Sequence, residues 1–248
     1  MQTRTRPSVG AGLAVYAGYL AIFFVVWVIN DVDYMHLGET VASAKRHYAI
    51  PTLLGSIFVA VVVTAKGWWR PLLFDDQGSG PGWAWVGPAA LFVLGVLGFS
   101  TLHPDKVTGP LVLWSVLGGL GVGFGEEMIT RGALLVGLRS RYTEEQAWLF
   151  STLAFSALHI PNLFFGVPPA AVPIQFVMTF IVGSLLWATR RMSRTLLVPM
   201  FLHGFWDSSI FLPRATGSTG SPLQALIYPI AIVCAIVVVR RNRGLRIG

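Results

Sequence analysis

Six ionisable side chains stand inside otherwise apolar stretches of the chain. They are Glu126, Glu127 and Arg131 in "GFGEEMITRG", His159 in "FSALH", and His203 and Asp207 in "HGFWD". A charge at the centre of a bilayer typically costs about 2.5 to 3.5 kcal/mol even on insertion scales, so such residues mark function by default. His203 and Asp207 are four residues apart and share one helix face; Glu127 and Arg131 have the same spacing, which suits an ion pair. Glu126 lies about 100° around the helix from Glu127. The spacing therefore predicts a division of labour: Glu127 and Arg131 largely neutralise each other and orient the helix, and Glu126 is the free carboxylate.

A carboxylate, two imidazoles and a second carboxylate in a wet pocket suit the activation of water, with Glu126 as the proton acceptor. The other groups have two open roles. His159, His203 and Asp207, with Glu126, would ligate a divalent metal such as zinc that polarises the water. Alternatively, His203 would hydrogen-bond a developing oxyanion without a metal. No HExxH sequence occurs, so the familiar zinc-peptidase helix is absent. Pro161 lacks an N–H and frees the carbonyl of Ala157, which predicts a kink beside His159.

These groups need helices to hold them. Of the 248 residues, 54% are hydrophobic and 12% charged, against roughly 25% charged in an ordinary soluble domain. Stretches of about 20 apolar residues span a bilayer as helices. Eight are expected, near 10–30, 49–69, 82–102, 109–138, 145–166, 169–190, 195–212 and 223–239, giving an all-α polytopic helix bundle that forms one membrane domain over residues 1–248. Lipid forces each span to satisfy its own backbone, which excludes open sheets. The basic N-terminus before the first span resembles a signal peptide, but the apolar stretch is too long and "NDVDYMH" follows it, so an uncleaved first helix is expected. The loops near 31–48 and 70–81 read as polar connections and "FDDQGSGPG" as a flexible turn.

Depth then brings the groups together. At about 1.5 Å per residue, Glu126 lies roughly 20 Å from Arg139, His159 roughly 21 Å from Glu145, and His203 and Asp207 about 14 and 20 Å from Arg194. Three helices assigned from hydropathy alone deliver their polar groups to similar depth.

The net charge of +7 reads as topology. With the N-terminus in the cytoplasm, Arg4, Arg6, Lys66, Arg70, Arg139, Arg141, Arg190, Arg191, Arg194, Arg240, Arg241, Arg243 and Arg246 face inside, and Lys45, Arg46, Lys106 and Arg214 face outside. Both termini are expected to be cytoplasmic. No basic stripe with interleaved aromatics and no Gly-rich phosphate loop occurs, so no nucleic-acid partner is expected. Cys234, the only cysteine, allows no internal disulfide and reads as a packing residue. His36, His47 and His103 read as solvated, Phe155 as packing, and Trp68, Trp69, Trp83 and Trp85 as interfacial anchors.

The polar segments resemble a known family. "EEMITR" fits EExxxR, "FSALH" fits FxxxH and "HGFWD" fits HxxxN/D, in an order and on three membrane helices similar to the CPBP family of intramembrane proteases. That family includes the type II CAAX prenyl endopeptidases and the bacteriocin-processing or self-immunity proteins. The resemblance covers residues 110–212. It implies an intramembrane endopeptidase acting on a membrane-associated peptide or protein in the bilayer, with Glu126 activating water, His159, His203 and Asp207 completing the site, and Glu127 and Arg131 in support. Asp207 is the acidic variant of a position that is Asn in the eukaryotic CAAX enzymes; the extra carboxylate favours a metal or a proton shared with Glu126. A non-catalytic scaffold of the same fold and a proton-coupled transporter are the competing readings. A bacterial plasma membrane is the expected location.

Overall fold

The computed structural model describes residues 6–247; Arg4, counted above among the inside cations, lies outside them. Eight helical passages run in order: α1 Val9–Ile29, α2 Val41–Lys66, α3 Gly82–Phe99, α4 Gly109–Arg139, α5 Glu144–Phe165, α6 Ala171–Ser193, α7 Leu197–Ala215 and α8 Pro222–Arg241. All but α7 are long and apolar enough to cross a membrane. The sequence predicts eight such spans; α7 falls short because it carries His203, Asp207, Ser208, Ser209 and Arg214. No strand forms among the described residues; an antiparallel bridge joins Phe74 to Thr195.

Local chemistry starts these helices where they start. The Ser8 hydroxyl accepts from the Ala11 amide, and Thr108 does the same for Leu111 ahead of Pro110. At the start of α5 the Gln146 side chain accepts from the Thr143 amide at 3.1 Å, satisfying a donor that the helix leaves open. α2 begins eight residues earlier than expected, because Thr40 caps it and residues Ala44–Ala49 form a π-helical turn. A second π-helical stretch, Met128–Leu134, interrupts α4 directly after Glu127. At the other motif, the regular α-helix of α5 stops ahead of Pro161. Its α-helical part ends at Ala157, and a 3₁₀ turn covers Ile160–Phe165 with His159 at the joint.

α4 is the centre of the bundle, packed against α1, α2 and most extensively α7. Glycine makes the α4–α7 approach possible. A Cβ on Gly123 would lie 2.2 Å from the Met200 carbonyl oxygen, and one on Gly204 would lie 2.3 Å from that of Gly119. Backbone cannot yield as a flexible side chain can, so Gly123→Ala is expected to cost about 1–3 kcal/mol by forcing the two helices apart. Gly132→Ala, whose Cβ would meet its nearest neighbour at 3.5 Å, is the tolerated control. Thermal unfolding in detergent compares them, and equal midpoints would refute the close-packed crossing. On the far side, Leu91, Leu185, Leu202, Trp206, Ile227 and Cys234 form a shared core of α3, α6, α7 and α8, so Cys234 is a packing residue.

The largest departure from expectation is a buried ionic cluster at one end of the bundle. Asp75, read as part of a flexible turn, is 6% exposed. It accepts two hydrogen bonds from Arg139 at 2.8 and 3.1 Å, two from Arg190 at 2.8 and 3.3 Å and one from Arg191 at 2.9 Å. Glu144 grips Arg139 from the other side at 2.7 and 2.8 Å and accepts from Trp187. Arg191 reaches Asn242 beyond α8. Three arginines counted as loop cations therefore tie α4, α5, α6, the 67–81 connection and the C-terminal segment together. Trp68, 6% exposed, packs in the core instead of anchoring at an interface, whereas Trp83 and Trp85 are exposed.

Candidate active site

Glu126 and Glu127 close the α-helical part of α4, and both are buried. The π turn that follows alters the carbonyl pattern, and the Thr130 hydroxyl donates to the Glu126 carbonyl. Glu127 Oε1 accepts from Arg131 at 2.8 Å and stands 3.0 Å from His203 Nδ1. Glu127 thus both pairs with Arg131 and fixes the ring of His203, whose Nε2 lies 4.0 Å from Glu126 Oε2.

Phe155 lies at the centre of this group. Its ring packs beneath the Arg131 guanidinium, 3.9 Å from centroid to Cζ, and meets His159 and His203 edge-on, each at 5.5 Å between centroids. A desolvated cation over an aromatic face is worth about 2 kcal/mol. That partly offsets the cost of the Arg131 Nε and Nη2 groups, which are buried and, among the described residues, without hydrogen-bond partners. The motif phenylalanine is a packing residue, as read from sequence, but what it packs is the ionic machinery. Another guanidinium, that of Arg190, donates to the Arg131 carbonyl, joining this group to the ionic cluster.

His159 is half-buried, with Nδ1 at 3.2 Å from the Phe155 carbonyl oxygen. A carbonyl only accepts, so that bond assigns the proton to Nδ1 and leaves Nε2 an acceptor. Asp207 is half-buried one turn beyond His203 on α7. Among the described residues no three His, Cys, Asp or Glu side chains converge closely enough to hold a metal ion. As arranged here, Glu126, His159, His203 and Asp207 do not converge as a ligand set.

Two cavities meet at these residues. An inner chamber of about 60 Å³ is lined by Glu126, His159 and Asp207 together with Tyr19, Tyr48 and Thr52. An outer groove of about 520 Å³ is lined by His159, His203, Asp207 and apolar side chains of α6 and α7, among them Met178 and Trp206. Tyr34, His159, Asp207 and Phe211 belong to both and form the wall between them. Tyr34 is held by Gln175, which in turn accepts from Asn162. Sequence reasoning brings Glu126, His159, His203 and Asp207 to one depth, and here they stand around one wall; it misses Tyr19, Tyr34 and Tyr48, which carry no charge to mark them in an apolar stretch. His36 and His103 are exposed and His47 is half-buried, away from this centre.

Residues 108–209 fit the family model described as Rce1-like, Type II CAAX prenyl endopeptidase Rce1-like. No curated protein and no solved structure matches the chain.

Proposed function

We propose that this chain, an integral multi-pass membrane protein whose residues 108–209 belong to the CPBP family of CAAX-type intramembrane proteases, hydrolyses a peptide bond by a water that Glu126 activates. The observation that carries the reading is the divided cavity. The inner chamber, at about 60 Å³, has room for several waters, each needing about 10–15 Å³ of such space, and is far smaller than the outer groove of about 520 Å³. The outer groove is large enough for a segment of a membrane-associated peptide or protein, and His159 and Asp207 stand between the two.

The chemistry follows from the residues present. Glu126 takes a proton from a chamber water, and the resulting hydroxide attacks the carbonyl carbon of a peptide in the groove. Nε2 of His159 accepts the remaining water proton as a hydrogen bond and aims the oxygen lone pair. His203, held through Nδ1 by Glu127, donates from Nε2 to the carbonyl oxygen as it gains charge in the tetrahedral intermediate, provided that the ring is doubly protonated. Collapse of the intermediate breaks the C–N bond, and the leaving amine takes the proton held by Glu126. Asp207 beside the wall shares or relays that proton. No step is routed through a metal, because the four expected ligands do not converge.

The purified protein in lipid vesicles is expected to cut a peptide whose scissile bond lies within the bilayer. His159→Ala and His203→Ala are each expected to lower turnover about a hundredfold or more; His203→Ala, which also takes away the partner of Glu127 at 3.0 Å, is expected to lower the thermal midpoint as well. Failure of the wild type to cut such peptides, or full activity in both variants, would overturn the reading. A chelator is expected to leave the rate unchanged; loss with it and recovery on adding zinc would restore the metal route. We further assign both termini to the cytoplasmic side of a bacterial plasma membrane. Even with Arg139, Arg190 and Arg191 drawn into the buried cluster, the remaining cations on that side outnumber Lys45, Arg46, Lys106 and Arg214.

A further inference from the structure

The inner chamber is not built by the matched segment alone. α1 and α2, which lie outside residues 108–209, bring two tyrosines to it. Tyr19 is 1% exposed and Tyr48 is 3% exposed, both line the chamber with Glu126, and among the described residues neither hydroxyl has a hydrogen-bond partner. Buried polar atoms in native proteins are almost always satisfied, and a buried hydroxyl without a protein partner calls for water or a ligand. Two such hydroxyls on one small cavity that Glu126 also lines point to a common partner.

Both rings are fixed where they stand. A Cβ on Gly55 would lie 2.5 Å from the Tyr19 ring, and one on Gly125 would lie 2.7 Å from the ring and 3.0 Å from its hydroxyl. Glycine at these two positions lets Tyr19 lie flat between α2 and α4, with its oxygen beside the residue preceding Glu126. Tyr48 sits in the π-helical turn of α2, against Gly118 on one side and Phe211 at 4.8 Å on the other. Packing of this kind requires a ring; it gives no reason for the oxygen.

We propose that Tyr19 and Tyr48 are water-positioning residues, whose hydroxyls hold the hydrolytic water in the chamber against Glu126. A confined water needs two to four polar partners, and these two hydroxyls, the Glu126 carboxylate and Nε2 of His159 supply them. The inference deepens the proposed hydrolysis and rests on it.

Tyr19→Phe and Tyr48→Phe remove only the oxygens and leave the rings in place. In the full-length protein in vesicles, each is expected to lower kcat about tenfold and the double variant about a hundredfold, as a misplaced reactant costs. KM stays within about twofold, because the peptide lies in the other cavity. Thermal midpoints are expected to hold or rise, since an unsatisfied buried hydroxyl has been removed. A double variant with wild-type kcat, measured where Glu126→Gln is inactive, would sink the tyrosine inference and leave the hydrolytic reading standing. A rise in KM at unchanged kcat would also overturn it, by assigning the hydroxyls to the substrate. Retention of activity in Glu126→Gln would take down both readings together.

Discussion

Replacing Glu126 by Gln is expected to lower peptide cleavage about a thousandfold or more while leaving the protein folded. The amide keeps the size of the carboxylate but cannot accept a proton from water, and general-base contributions run to roughly 10²–10⁴. Among the described residues the ion pair of Glu126 is a long one, to His203 at 4.0 Å, so its neutral isostere removes a buried charge without stranding a closely paired one. The thermal midpoint should therefore hold. Glu127→Gln gives the contrasting pattern. It strips Arg131 of the charge that pairs with it at 2.8 Å and His203 of the acceptor at 3.0 Å, so stability and turnover fall together. Measuring both quantities on both variants separates a reacting carboxylate from a supporting one. Equal losses of stability, or residual turnover in Glu126→Gln within about tenfold of wild type, would refute the division of labour.

Asp75→Asn is expected to be the most destabilising single change outside the site. The variant leaves Arg139, Arg190 and Arg191 buried with Glu144 as the remaining anion, and removing one partner from a buried ion network costs about 3–5 kcal/mol. At about 2–4 °C per kcal/mol for a chain of this length, the midpoint should fall by about 10 °C. The pH dependence has a definite sign. Burial pushes the Asp75 carboxyl upward, but the Arg190 and Arg139 guanidiniums outweigh it and hold the group well below the usual carboxylate range. A carboxyl depressed by folding contributes stability that is fully present above its unfolded value, near pH 4, and is lost as pH falls through the folded one. The gap between wild type and Asp75→Asn should stay constant from neutral pH down to about 4 and narrow below it. A midpoint loss under about 2 °C at pH 7 would show that the cluster is not a structural tie.

The two parts of the molecule differ in how far they can be read from sequence, for a physical reason. Glu126, His159, His203 and Asp207 are legible because charge in an apolar stretch is expensive and so conspicuous, and because equal depth on three helices is arithmetic. The same polarity makes α7 fail as an apolar span. The Asp75 cluster is illegible because its charges sit beside polar connections, where charge is ordinary. Only the fold reveals that residues 64 and 115 apart in sequence share one buried centre. The π-helical turns leave no periodic trace, since one extra residue in a turn is lost among apolar neighbours. Tyr19 and Tyr48 are hidden for the opposite reason to Glu126: a phenol costs little in an apolar stretch, and only its missing partner gives it away.

The smallness of the inner chamber has a kinetic consequence. A handful of solvent molecules is a stock, not a reservoir, and each turnover consumes one. Hydrolysis behind the His159–Asp207 wall then becomes a fill-and-fire cycle in which restocking is a step with its own rate. Turnover should respond to osmotic pressure: solutes too large to enter would lower the activity of water outside and starve the chamber, slowing cleavage with no effect on peptide affinity.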